Sequence, residues 1–301
     1  MTVDLHQHVW TPSLLDALER RDALPFIRRR TDADDAVATA TLHCAGERPS
    51  PIDLAAQAPV ARARVLDAIG VRRAVVAIST PIGIEALPRR QALELIAAHL
   101  DGVLALGERF AAWGPVPIAD PDPDDVDAVL ARGCVGVSMP AAAIADAGGL
   151  ARLAAVLERV QERGVPLFVH PGPIRGAEAT GGDPGWWRAL TDYVAQMQAA
   201  WLTFATAGRP RLPRLRVVFT MLAGGGPLLA GRLALRGGPP IDLADPLTFY
   251  ETSGSGEHLS AAVADAVGRE RLVYGSDRPV MDPPVGEDDA LLMLRAARLL
   301  G

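Results

Sequence analysis

The chain has 301 residues, 49% of them hydrophobic and 22% charged, with a net charge of −6. That balance excludes wholesale disorder, a collagen-like repeat and a disulfide scaffold, and an acidic chain lacks the basic field that would attract nucleic acid. All 30 basic residues are arginine, which excludes a lysine Schiff base, a P-loop lysine and a carbamylated lysine bridging two metals.

Short β-rich runs alternate with helical patterns along the chain. Strands are expected at 2–5, 72–79, 110–118, 133–139, 165–169, 214–220, 247–253 and 271–276. Helical spacing of Ala and Leu marks 54–69, 89–100, 123–132, 149–163, 187–207 and 286–300. The alternation predicts a parallel α/β architecture, and eight repeats predict a (β/α)8 barrel, which typically needs about 250 residues. The competing architecture is an open doubly wound sheet. It would require G-x-G-x-x-G after the first strand, where this chain reads HQHVWT.

Residues 23–53 break the rhythm, with an acidic cluster (Asp32, Asp34, Asp35) and His43. A connection this long after strand one, on the face where barrel active sites sit, is expected to be a lid or specificity insertion, with a solvated insertion as the alternative. Cys44 and Cys134 fit no zinc or redox spacing. The opening MTVDLHQH lacks the basic and apolar regions of a signal peptide, and no apolar run approaches 18 residues. A cytoplasmic protein with no membrane partner is expected.

The chemistry gathers at predicted strand ends. In Asp4-Leu5-His6-Gln7-His8 the two histidines stand two apart, so both project to one face of a strand. His170 ends the apolar run VPLFV, and Asp277 follows RLVYGS. A carboxylate closing an apolar strand is costly to bury unless it is paired or bound to a metal. An ion pair with Arg278 or a helix cap is the plainer reading of Asp277, as a core position is of His170. Together, three imidazoles and a carboxylate on one barrel rim suit zinc or another divalent ion with room for water. No G-x-S-x-G elbow is present. Arg109, Arg175 and Arg278 lie near predicted strand ends, Arg175 being the preferred partner for a substrate carboxylate. Trp186 and Trp187 stand in the loop after strand five as a candidate aromatic wall, and His99 reads as structural. The glycines at 224–226 form either an anion cradle or a tight turn.

From VDLHQH through LFVHPG and AGGGP to LVYGSDRP, the chain resembles the amidohydrolase superfamily, in the branch similar to aminocarboxymuconate semialdehyde decarboxylase. The resemblance implies a (β/α)8 barrel and one metal, zinc first and manganese second, held by His6, His8, His170 and Asp277, with Asp277 also handling protons. It leaves a homodimer open, with no interface legible in the sequence.

The chain departs from the family at one point. Where relatives carry a histidine six residues before a proline after strand six, this chain has Met221, and a thioether can neither take nor give a proton. Asp277 alone, His43 or His258 from other loops, or a loss of turnover are the three consequences open. Hydrolysis of a small amide, lactone or ester by a metal-activated water is the first reading. Non-oxidative decarboxylation of a small aromatic or unsaturated acid is the second, and a catalytically inactive binding protein the third.

Overall fold

In the computed structural model, residues 1–30, 39–173, 183–283, 285–286 and 288–300 are described. The N-terminal apolar run forms β1 (Val3–Gln7), buried along its whole length. Pro12 opens α1 (Pro12–Glu19), a position where its missing N–H is not needed. β2 (Phe26–Arg30), β3 (Thr39–His43) and β4 (Ser50–Asp53) then form an antiparallel sheet. The strand–helix alternation follows with α2 (Pro59–Ala68), β5 (Arg73–Val76), α3 (Arg89–Leu104), β6 (Phe110–Ala112) and β7 (Gly114–Pro115). Next come α4 (Asp124–Ala131), β8 (Val137–Pro140), α5 (Ala147–Arg152), α6 (Ala154–Glu162) and β9 (Leu167–His170). After them stand α7 (Trp187–Leu190), α8 (Asp192–Thr203), β10 (Val217–Phe219) and α9 (Ala230–Leu235). β11 (Thr248–Glu251), α10 (Glu257–Val267), β12 (Leu272–Val273) and α11 (Asp289–Leu300) complete the chain.

β1, β5 and β6 pair in parallel, and β7 to β12 form a second parallel ladder in chain order. Hydrogen bonds join the two ladders at both edges. Trp113, between β6 and β7, donates its N–H to Val76 O, while Gly114 N donates to Gly136 O, so one strand passes from the first ladder into the second. At the other edge Leu5 N donates to Tyr274 O, Asp277 N to His6 O and His8 N to Arg278 O. Among the described residues, backbone hydrogen bonds thus join the two parallel ladders at both of their edges.

Residues two apart along these strands fill the interior. Val3, Leu5, Val75, Trp113, Phe168 and Val218 pack as one fully buried cluster, to which α11 adds Ala296 and Leu299. Trp113 stacks on Phe168 with ring centroids 4.8 Å apart and donates its indole N–H to Leu5 O at 2.8 Å. This pair is the floor beneath the strand ends. Trp113→Ala should lower stability by about 3–5 kcal/mol, the range for truncating a buried aromatic, read as a lower urea midpoint.

Three departures from the sequence reading have local causes. The 23–53 connection is a three-stranded sheet where described, because Ile27, Ala40, Leu42 and Ile52 turn inward onto the core and alternate with outward residues. Its acidic cluster, Asp32 to Asp35, lies outside the described residues. The helix expected over 187–207 is divided into α7 and α8 and ends in a π-turn at Phe204–Gly208, where a Cβ on Gly208 would stand 2.6 Å from the Phe204 ring. After β10 the chain makes a left-handed turn: Met221, Leu222, Ala223, Gly224 and Gly225 all have φ between 52° and 75°. Three of these are not glycine, a strained arrangement that persists only under firm packing. A cavity of about 160 Å³, lined by Trp201, Phe204, Phe219 and Tyr250, lies between α8 and the outer side of β10 and β11. Among the described residues, no helix is long and apolar enough to cross a membrane. Cys44 and Cys134 are buried and free, and burial pushes each thiol up to about 12.

Candidate metal centre

Four side chains meet at the carboxyl ends of three parallel strands. His6 lies in β1 and His8 just beyond it; His170 ends β9; Asp277 follows β12 by four residues. His6 Nε2 is 3.2 Å from His8 Nε2, and Asp277 Oδ1 is 3.3 Å from the first and 3.0 Å from the second. One ligand atom from each of the four lies within 4.8 Å of the others. The three rings stand nearly perpendicular, with centroids 4.9 to 5.1 Å apart.

Each ring is held from behind through Nδ1. His8 Nδ1 is 2.9 Å from Ala77 O, and His170 Nδ1 is 2.9 Å from Pro171 O and 2.8 Å from Thr80 Oγ1. His6 Nδ1 is 3.2 Å from both Glu251 Oε2 and Ser253 Oγ. A neutral imidazole has one N–H, so donation outward from Nδ1 leaves Nε2 bare and facing the cluster. Asp277 Oδ1 is buried with no donor on it, and bare nitrogens stand within 3.3 Å. Such a group of lone pairs calls for positive charge among them, from a metal ion or from a proton on one ring. Three nitrogens and one oxygen suit zinc or manganese, so the residues present fit a divalent ion.

The electrostatics state the same demand. Burial works against charge on His6, but the carboxylates of Asp277 and Glu251 outweigh it and lift its pKa to about 9. Burial, reinforced by His6 and His8, holds His170 well below its ordinary value. Burial alone would raise Asp277; the neighbouring His6 and His8 more than reverse this and lower it. Without an ion, a proton on His6 supplies part of the missing positive charge.

Asp4 ties the two ends of the site together. Its Oδ1 accepts from His6 N and Ser276 N at 3.0 Å each, and its Oδ2 from Ser276 Oγ at 2.6 Å and Gln7 Nε2 at 2.8 Å. β1 and the segment carrying Asp277 are thus fixed by one buried carboxylate. Asp277 itself has φ +56°, a left-handed conformation that turns its side chain into the cluster.

Other residues singled out in the sequence fall elsewhere. His43 pairs with Phe26 across β2 and β3 and stacks on its ring at 4.6 Å, so the antiparallel sheet uses it in packing and it does not join the cluster. His258 is exposed on the first turn of α10, equally outside the cluster. Neither belongs to the four-residue cluster. Arg278 is not a free fork: its Nε and Nη2 bind Asp282 at 2.9 and 2.8 Å, and Nη2 also bonds Pro283 O. Arg109 precedes β6, at the opposite strand end, and bonds Asp67, Arg72 O and Val71 O. Arg175 lies outside the described residues. Trp186 and Trp187 are 57% and 44% exposed, with ring centroids 5.7 Å apart. His99 is buried, and desolvation lowers its pKa to about 3, which agrees with a structural role. Met221 points no titratable group at the site; its backbone N–H approaches Glu251 Oε2 at 3.4 Å. The 224–226 glycines serve a turn: a Cβ on Gly224 would meet Val194 O and one on Gly226 the Trp201 ring.

Sequence reasoning missed Glu251, Ser253 and Thr80. Glu251 carries the signal used for Asp277, a carboxylate ending the apolar run LTFYETS.

No family model matches the chain, and no curated protein matches it. Solved structures do. The apo form of IDCase from Metarhizium anisopliae is similar with a TM-score of 0.74 at 18% identity, covering 100% of this chain and 92% of its own. The 2,6-dihydroxybenzoate decarboxylase from Rhizobium gives 0.65 at 18%, over 99% and 98%. The 5-carboxyvanillate decarboxylase from Novosphingobium aromaticivorans, complexed with manganese and a hydroxy-methoxy-nitrobenzoic acid, gives 0.69 at 14%, over 100% and 96%. The chain therefore shares the fold of these proteins over its whole length.

Proposed function

We propose that this chain is a divalent-metal-dependent, non-oxidative decarboxylase of a small aromatic or unsaturated carboxylic acid, in the amidohydrolase superfamily that its motifs resemble. The observation that carries the reading is the convergence of His6, His8, His170 and Asp277 on one point at the strand ends. It is supported by a fold similar to that of decarboxylases named for benzoate derivatives, one of them solved with manganese. Hydrolysis, placed first from the sequence, gives way because the similar structures named for a reaction support decarboxylation instead. Zinc or manganese is the proposed ion.

A divalent ion held by these four residues would supply positive charge that attracts an anionic substrate and stabilises negative charge as the carbon–carbon bond breaks. His6, His8 and His170 hold that charge through Nε2, their Nδ1 atoms being engaged behind them. Asp277, ionised in the resting site, takes a proton from the substrate's acid group or from solvent and passes it on. As CO2 leaves, the electron pair of the broken bond stays on the ring or vinyl carbon, and the proton from Asp277 joins it there. Asp277 acts alone because Met221 has no proton to give. The Trp113–Phe168 stack closes the barrel beneath, with Phe168 5.2 Å from the His6 ring, and keeps water from entering from below.

Protein loaded with manganese or zinc should convert a member of a hydroxybenzoate panel with release of CO2, and in D2O one deuterium should appear on the carbon that lost it. Lactone or amide cleavage without CO2 would overturn this in favour of hydrolysis. Metal binding with neither reaction would favour the binding protein.

A further inference from the structure

Two of the three imidazoles are backed by neutral oxygens: Ala77 O behind His8, and Pro171 O with the Thr80 hydroxyl behind His170. His6 alone is backed by a carboxylate, and the structure builds a niche around it. Glu251, at the end of β11, is fully buried. Its Oε1 accepts from Ser253 N at 2.5 Å; its Oε2 accepts from Ser253 Oγ at 2.8 Å and faces His6 Nδ1 at 3.2 Å. The left-handed turn at Met221 brings a backbone N–H to the same oxygen at 3.4 Å. On the far side stands Gly275, where any Cβ would overlap Glu251 Oε1. Strand-six turn, strand-seven end and strand-eight glycine thus hold one charge against one ring.

We propose that Glu251 is a positioning residue of the metal centre: it fixes His6 with the proton on Nδ1 and Nε2 bare, and adds a second buried negative charge beside the ion. The inference rests on the metal-centre reading above and deepens it. Three neutral imidazoles and Asp277 leave a divalent ion with one net positive charge in a buried site. Glu251, in contact with a ligand but facing away from the ion, neutralises that remainder. It also strengthens His6 as a donor, since a carboxylate accepting the Nδ1 proton pushes electron density toward Nε2. The peculiar backbone at Met221 acquires a reason: its strained N–H is spent on Glu251.

The test is direct titration of metal-free protein with zinc and with manganese by competition against a chromophoric chelator, alongside thermal unfolding of the metal-free forms. Glu251→Gln keeps shape and removes charge; it should weaken both ions about 10- to 100-fold while the metal-free midpoint stays near wild type. Ser253→Ala leaves the carboxylate in place but removes its hydroxyl anchor, and should weaken binding by a smaller factor; it decides the matter should the first variant fail to fold. Wild-type affinity in a folded Glu251→Gln, or in Ser253→Ala where only that variant folds, overturns the role of Glu251 and leaves the metal centre standing. A wild type that binds neither ion overturns the metal centre and Glu251 with it.

Discussion

Asp277→Asn should cost the protein at least about 100-fold in affinity for zinc or manganese, more than loss of any residue behind the ligands. The amide still occupies the space, but the one anionic ligand atom of the cluster among the described residues is gone, and the Nε2 atoms of His6 and His8 lose the charge 3.3 and 3.0 Å away. His170→Ala should act similarly by removing the third nitrogen. Wild type should bind one equivalent of metal, and its stability should rise with free ion, by roughly 2.7 kcal/mol at 100 times the dissociation constant. Below about pH 9 the site holds a proton on His6 that the ion must displace, so affinity should rise with pH up to that value. Metal content by elemental analysis and unfolding with and without chelator check these points. Equal metal content in wild type and Asp277→Asn would sink the four-ligand site.

Glu85→Gln should make the protein more stable above pH 8 and flatten its pH dependence. Glu85 sits in the turn between β5 and α3, fully buried, with neither carboxyl oxygen bonded. Burial pushes its pKa up to about 8, from 4.5 in an exposed chain. The folded state therefore keeps a proton that the unfolded chain gives up. Stability from this group is intact below pH 4.5, falls as pH rises from 4.5 to 8, and is level above. The total loss is roughly 3–5 kcal/mol. Glutamine fills the same space and does not titrate, so the difference between variant and wild type should grow across that window. His99, neutral down to about pH 3, has the opposite sign and acts at lower pH, in both proteins alike. Urea midpoints at pH 5, 7 and 8.5 are the measurement; parallel profiles for the two proteins would contradict it.

Much of the fold was legible because a parallel barrel writes each strand as a short apolar run and each return as a helical pattern. The same grammar exposed all four ligand positions. His170 and Asp277 stand where an apolar run stops, and His6 and His8 are two apart on a strand. Chemistry in such a barrel sits at strand ends, so a polar residue that closes an apolar run is conspicuous. Glu251 was as conspicuous and was passed over, since its partner His6 lies 245 residues away and nothing local pairs them. The 23–53 segment was read as a connection because its strands are short and polar on one face, a pattern that only the core beneath it makes sheet-like.

By itself, then, the sequence determined the repeat of strand and helix, the absence of lysine chemistry and the four side chains able to bind an ion. These depend on residue type and short spacing, which the chain carries locally. The tertiary structure alone decided how the two ladders join at both edges, what stands behind each imidazole Nδ1, that Arg278 and His43 are engaged elsewhere while His258 is exposed on α10, and that the Met221 backbone N–H approaches Glu251. Those are outcomes of contacts between distant segments, and the energies that choose among them arise only when burial removes water from both partners.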